Sequence, residues 1–155
     1  MLRRIIFGLV ATVLMSSAAA AQANKAIEDE VIRLTKAAWV GDMEKNIAAS
    51  MASYADDYTE FNADYATRIE GKALNQRLNE GSNKDSGKTL AAEMLNPKVQ
   101  VYGNTAILTY NYAGILQDKD GKVTPSRAKS TRVFIKDGST WKLVHANFAP
   151  DPLPR

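Results

Sequence analysis

The chain has a single histidine, His145, and the residues around it alternate in character. Trp141, Leu143, His145 and Asn147 alternate with Lys142, Val144, Ala146 and Phe148, which predicts the first four on one face of a strand. An aromatic, an aliphatic, an imidazole and an amide in one row would form the wall and floor of a ligand cavity. A free imidazole titrates at about pH 6.5, so it accepts and returns protons near neutral pH. Asn147 is suited to orienting a carbonyl or donating to a developing oxyanion. On the preceding segment Arg132 is in phase with Ser130, Phe134 and Lys136. Turned inward, its guanidinium would hold a carboxylate or an enolate; turned outward, it is a solvated charge. A bulge in either strand reverses the phase, so the sequence leaves both open. His145 likewise either lines the cavity or serves a structural or surface role.

Tyr54, Asp57, Tyr58, Glu60 and Asn62 make a second cluster. Asp57 or Glu60 would orient the imidazole or abstract a proton, and a tyrosine, Tyr54 or Tyr58, would polarise a carbonyl. The plainer account of Asp56-Asp57 is a helix ending in water. Tyr110 and Tyr112 share a strand face with Leu108 and Gly114, and are either cavity lining or core and dimer-interface residues. Trp141, like Trp39, is first of all a packing anchor. No Gly-rich dinucleotide fingerprint, P-loop or Cys-x-x-Cys occurs, and one histidine cannot form a two-histidine zinc motif. Asp118, Asp120 and Gly121 lack the ligand series of an EF-hand and read as a solvated turn. No cofactor or metal is expected.

The elements that must position these residues begin after an export segment. Met1-Leu2-Arg3-Arg4 is basic, Ile5 to Met15 is apolar, and small residues lead to Ala21-Gln22-Ala23. Residues 1–23 are therefore expected to be a cleavable signal peptide, and 24–155 one domain. Arg3 and Arg4 leave with the signal, so 20 Lys plus Arg become 18 against 17 Asp plus Glu, and the net charge falls from +3 to +1. That balance gives no basis for nucleic-acid binding, and the mature form has no expected membrane segment. The expected location is the periplasm, or beyond it by secretion. With no cysteine, stability rests on an apolar core, enlarged or not by oligomerisation.

Within the domain the periodicity changes from helical to extended. Ile27, Val31, Leu34 and Ala38 recur at helical spacing as far as Trp39. Gly41-Asp42 reads as a break, with Asp42 the N-cap of a second helix to about Tyr54. A short strand over 58–62, a reversal at Ala63-Asp64 and a returning piece over 65–69 follow. A short helix spans 72–79, and 81–88 is expected to be a mobile loop. Strands are predicted over 98–102, 105–116, 128–136 and 141–148, separated by Gly-containing turns. Helices first and a meander after give an α+β domain.

Five segments in order carry a family resemblance: the helical opening that ends at GDM, then YADDYTEF, IEGKAL, NPKVQVYGNTAILTY and TRVFIKDGSTWKLVHANF. Together they resemble the superfamily of nuclear transport factor 2, including its SnoaL-like members. The last two segments most resemble the association domain of calcium/calmodulin-dependent protein kinase II and its free-standing bacterial relatives. The resemblance implies a cone-shaped fold, with N-terminal helices packed on a strongly curved, mainly antiparallel sheet around a pocket. It implies a homodimer through the sheet, or a larger homo-oligomer. Arg132 matches the arginine of a buried polar pocket, while Asn147 stands where the family pattern has a second histidine.

The expected function is thus an exported association or small-molecule-binding domain. Its ligand would be a small organic acid or carbonyl compound held by Arg132, Asn147, Tyr58, Tyr110, Tyr112 and Trp141. The alternative is a cofactor-independent isomerase, dehydratase or cyclase in which His145 moves the proton and Asp57 or Glu60 assists.

Overall fold

The computed structural model describes residues 2–151 except Ser86, with side chains for 21–83 and 87–151. Most of the expected export segment, Met1 and the side chains up to Ala20, lies outside the described residues. The elements run α1 (Leu2–Met43), α2 (Ile47–Ser50), β1 (Tyr54–Phe61), β2 (Ile69–Glu70), α3 (Lys72–Asp85), β3 (Lys88–Tyr102), β4 (Thr105–Gln117), β5 (Val123–Asp137) and β6 (Thr140–Pro150). Among the described residues, no helix is long and apolar enough to cross a membrane.

The strands form one six-stranded sheet in the order β2-β1-β6-β5-β4-β3. Every neighbouring pair is antiparallel except β1 with β6. Alternation sends Tyr58, Leu108, Tyr110, Phe134 and Leu143 to one face, where they form the core with Val31 and Trp39 of α1. The α+β architecture and the curved sheet are as expected, and bulges in β3 and β6 supply part of the bending.

Several boundaries differ from the expectation. α1 does not break at Gly41-Asp42; the chain reverses at Lys45, whose φ is 55°, and α2 is a single turn capped by Asn46. Gly41 is required for another reason. A Cβ there would lie 2.3 Å from the backbone N of Ser50, so only glycine lets α2 fold back onto α1. α3 continues past Asn79 into the expected loop, as far as Asp85. Ser82 donates to the Asn79 carbonyl within it, and the Lys45 ammonium donates to the Asn83 carbonyl near its C-terminus. β3 begins ten residues before Lys98, because Pro97 sits in a bulge of an edge strand, where its missing N–H costs nothing.

Candidate functional site

One bulge decides which side chains face inward. Val133 pairs with His145 and Phe134 with Leu143, so Val144 is an extra residue in β6. The expected row of four is therefore broken. Trp141, Leu143, Ala146 and Phe148 face the helices, while His145 and Asn147 lie on the opposite face of the sheet. There the Thr59 hydroxyl and His145 Nδ1 share a 2.8 Å hydrogen bond, and the Phe61 ring meets the imidazole edge-on at 6.0 Å. Asn147 is exposed beside Thr131 and Thr109. Asp57 is exposed on β1. Glu60 faces inward, so the sheet lies between it and His145, and the imidazole's hydrogen-bond partner is the Thr59 hydroxyl rather than Asp57.

Arg132 takes the inward choice. Its register partner is Ala146, and it is 5% exposed. Nε donates to the Tyr110 hydroxyl at 3.0 Å, and the guanidinium carbon lies 5.3 Å from the Phe148 ring centre. No ion pair with a carboxylate joins it among the described residues. Burial disfavours its charge, but the oxygens of Tyr110, Tyr54 and Tyr58 outweigh that and hold its pKa above the ordinary guanidinium value. The same burial, with Tyr54 and Glu60 alongside, raises the Tyr58 phenol.

Beside this cation runs a closed polar chain. Tyr58 donates to Glu60 Oε2 at 2.7 Å, Asn75 to the same oxygen at 3.0 Å, and Asn62 to Oε1 at 3.0 Å. Asn79 in turn donates to Asn75. Both oxygens of the buried Glu60 are engaged, and the carboxylate fastens β1 to α3. On α3 the buried residue is the polar Asn75, with Leu78 half-buried one turn on, while Leu74 is exposed.

Above Arg132 opens a cavity of about 270 Å³. Trp39, Tyr112 and Phe148 form its apolar walls, with Trp39 edge-on to Tyr110 at 5.6 Å and to Tyr112 at 5.3 Å. Tyr110 and Ser130 lie side by side across β4 and β5 and also line it. The Ser130 hydroxyl is buried, with no hydrogen-bond partner in the protein. Asp42, on the last turn of α1, completes the polar lining. Asp42 is exposed at the surface, yet the surrounding protein crowds its carboxyl. Burial raises its pKa, opposed by a hydrogen bond with Ser50 and by Arg132 and reinforced by Glu60.

Of the expected ligand residues, Tyr110 and Tyr112 line the cavity, and Arg132 stands one layer behind Tyr110. Tyr58 belongs to the Glu60 chain, and Trp141 to the core. The additions are Asp42 and Ser130. Ser130 was legible as a strand neighbour in phase with Arg132; Asp42 was hidden by the apparent helix break. Among the described residues no group of three His, Cys, Asp or Glu is placed to hold a metal.

Comparison with known proteins locates this architecture. The profile of the calcium/calmodulin dependent protein kinase II association domain matches residues 27–152. No curated protein matches the chain. The association domain of C. elegans CaMKII superposes with a TM-score of 0.68 at 21% identity, over 81% of this chain and 96% of that one. The S. rosetta CaMKII hub gives 0.65 at 27% identity, over 82% and 95%. A nuclear transport factor 2-like superfamily protein from Salmonella enterica gives 0.74 at 12% identity, over 84% and 94%, a likeness of fold alone.

Proposed function

We propose that this chain, which belongs to the calcium/calmodulin dependent protein kinase II association domain family, is a self-associating domain whose cavity binds a small carboxylate or carbonyl compound. The observation that carries the ligand is the Ser130 hydroxyl. A buried hydroxyl left unpaired costs about 1–3 kcal/mol, and this one belongs to a residue that lines the cavity, with Tyr110 as its cross-strand neighbour. Tyr110 accepts from Arg132, which leaves its own proton to donate and places a positive charge behind it. A ligand oxygen accepting from both hydroxyls would satisfy Ser130, feel that charge, and set an apolar body against Trp39 and Tyr112.

The test is ligand-observed NMR against small aliphatic and aromatic carboxylates and ketones, 4-methoxybenzoate among them, followed by calorimetry. Tyr110→Phe and Ser130→Ala are each expected to weaken binding roughly tenfold, ~1.4 kcal/mol. Ser130→Ala should also raise the stability of the free protein, since it deletes an unpaired polar group. A panel with no binder, or a Ser130→Ala protein that loses stability and keeps its affinity, sinks the reading.

Self-association is supported by the face the helices leave bare. Phe61 is 48% and Ile135 42% exposed there, flanked by Ile107, Val133 and a row of threonines. That a relative is a hub fits self-association. Val133→Lys puts a charge between Ile107 and His145 and is expected to weaken assembly at least about a hundredfold. Light scattering after size exclusion reads this directly; an unchanged mass places the interface elsewhere.

A further inference from the structure

Asp42 borders more than one cavity. Asp42 and Thr89 also line a second, half-open cavity of about 390 Å³, between the end of α3 and the far ends of β3, β4 and β5. Only these two side chains are common to both. The lining differs in chemistry between them. The first cavity is walled by aromatic rings; the second presents the amides of Asn79, Asn83 and Gln117 and the hydroxyl of Thr124. Its charges cancel by type, Lys45 and Lys88 against Asp42 and Asp118. A phosphate or sulfate would need an excess of cations, and an ammonium an excess of acids. Amides, hydroxyls and balanced charge suit a neutral group that both donates and accepts many hydrogen bonds. Alone the first volume is small for a ligand site; the two together fall within the roughly 300–1,000 Å³ of small-molecule pockets.

We infer that the two cavities are compartments of one site, and that the ligand is elongated, with an acid or carbonyl end at Tyr110 and Ser130 and a neutral, hydroxyl-rich end such as a glycosyl group beyond Asp42. This rests on the reading that the first compartment takes a carbonyl or carboxylate compound. The Asp42 carboxyl, open at the junction, accepts from the first hydroxyl that passes it.

Two probes separate the claims. 4-(β-D-Glucopyranosyloxy)benzoate carries acid, ring and sugar in line; 4-methoxybenzoate has the same acid and ring without the sugar. By calorimetry the glucoside is expected to bind at least tenfold tighter. Gln117→Leu and Thr124→Val, at the far compartment, should each shrink that ratio toward one. Equal affinities for the two probes overturn the second compartment and leave the first reading standing. A ratio untouched by both variants overturns the placement of the sugar. 4-Carboxyphenyl phosphate binding tighter than the glucoside overturns the neutral class. If neither benzoate binds, the acid-end assignment and this inference fall together.

Discussion

Glu60→Ala is expected to lower folding stability by about 4 kcal/mol, as three hydrogen-bond donors lose their acceptor and two of them are buried. The Tyr58 ring is fully buried and Asn75 nearly so, and neither group has water to turn to. Asn62 is half-buried and contributes less. The three losses are not additive, because Asn75 retains its contact with Asn79. Glu60→Gln, which keeps one acceptor oxygen but turns an amide nitrogen toward a donor, should fall between the two. Denaturant unfolding of the three proteins checks the order. The sign is diagnostic. An acid held for chemistry is commonly strained, and its removal leaves stability unchanged or raised; an acid that fastens β1 to α3 must lower it. A loss below about 1 kcal/mol would remove Glu60 from the framework.

Gly41→Ala is expected to destabilise by about 3 kcal/mol, against what helix propensity alone would give. Alanine in a helix interior is favoured over glycine by about 1 kcal/mol. The added Cβ, however, would stand 2.3 Å from Ser50 N and 2.7 Å from Ser50 Cα, both backbone atoms of α2. A flexible side chain could move aside, but a helical backbone shifts only as a unit, so the clash outweighs the propensity. Displacing α2 also takes Ser50 from Asp42, whose carboxyl it bonds. Weakened ligand binding should therefore accompany the lower unfolding midpoint. An alanine protein as stable as the parent would show that α2 does not dock on α1 this closely.

Most of the architecture was legible in the sequence because periodicity and turn chemistry agreed. The strands from Thr105 onward follow alternation between Gly-containing turns and fall within a residue or two of expectation, except that β5 starts five residues early. The failures share one cause, local punctuation overridden by tertiary contact. Gly41-Asp42 has the composition of a break, yet Gly41 is there for a neighbouring helix. Gly81 and Ser82 look like loop, yet a lysine from the turn between α1 and α2 supports their helix near its end. Pro97 looks like a strand's start, yet an edge strand tolerates it. In the site, Arg132, Tyr110 and Tyr112 could be read from their phase. Asn75 could not, because a buried amide on a helix makes sense only once Glu60 is opposite it.

Val144 works as a frameshift for side-chain direction. Iron out the bulge with Val144 kept in the ladder, and everything after it in the last strand would exchange inside for outside: the imidazole and amide would enter the interior, and Phe148 would be expelled. The ladder of backbone hydrogen bonds would close up without a gap. An architecture of this kind can thus trade a greasy lining for a titratable one through a one-residue change of register, with no new residue type introduced anywhere in the chain.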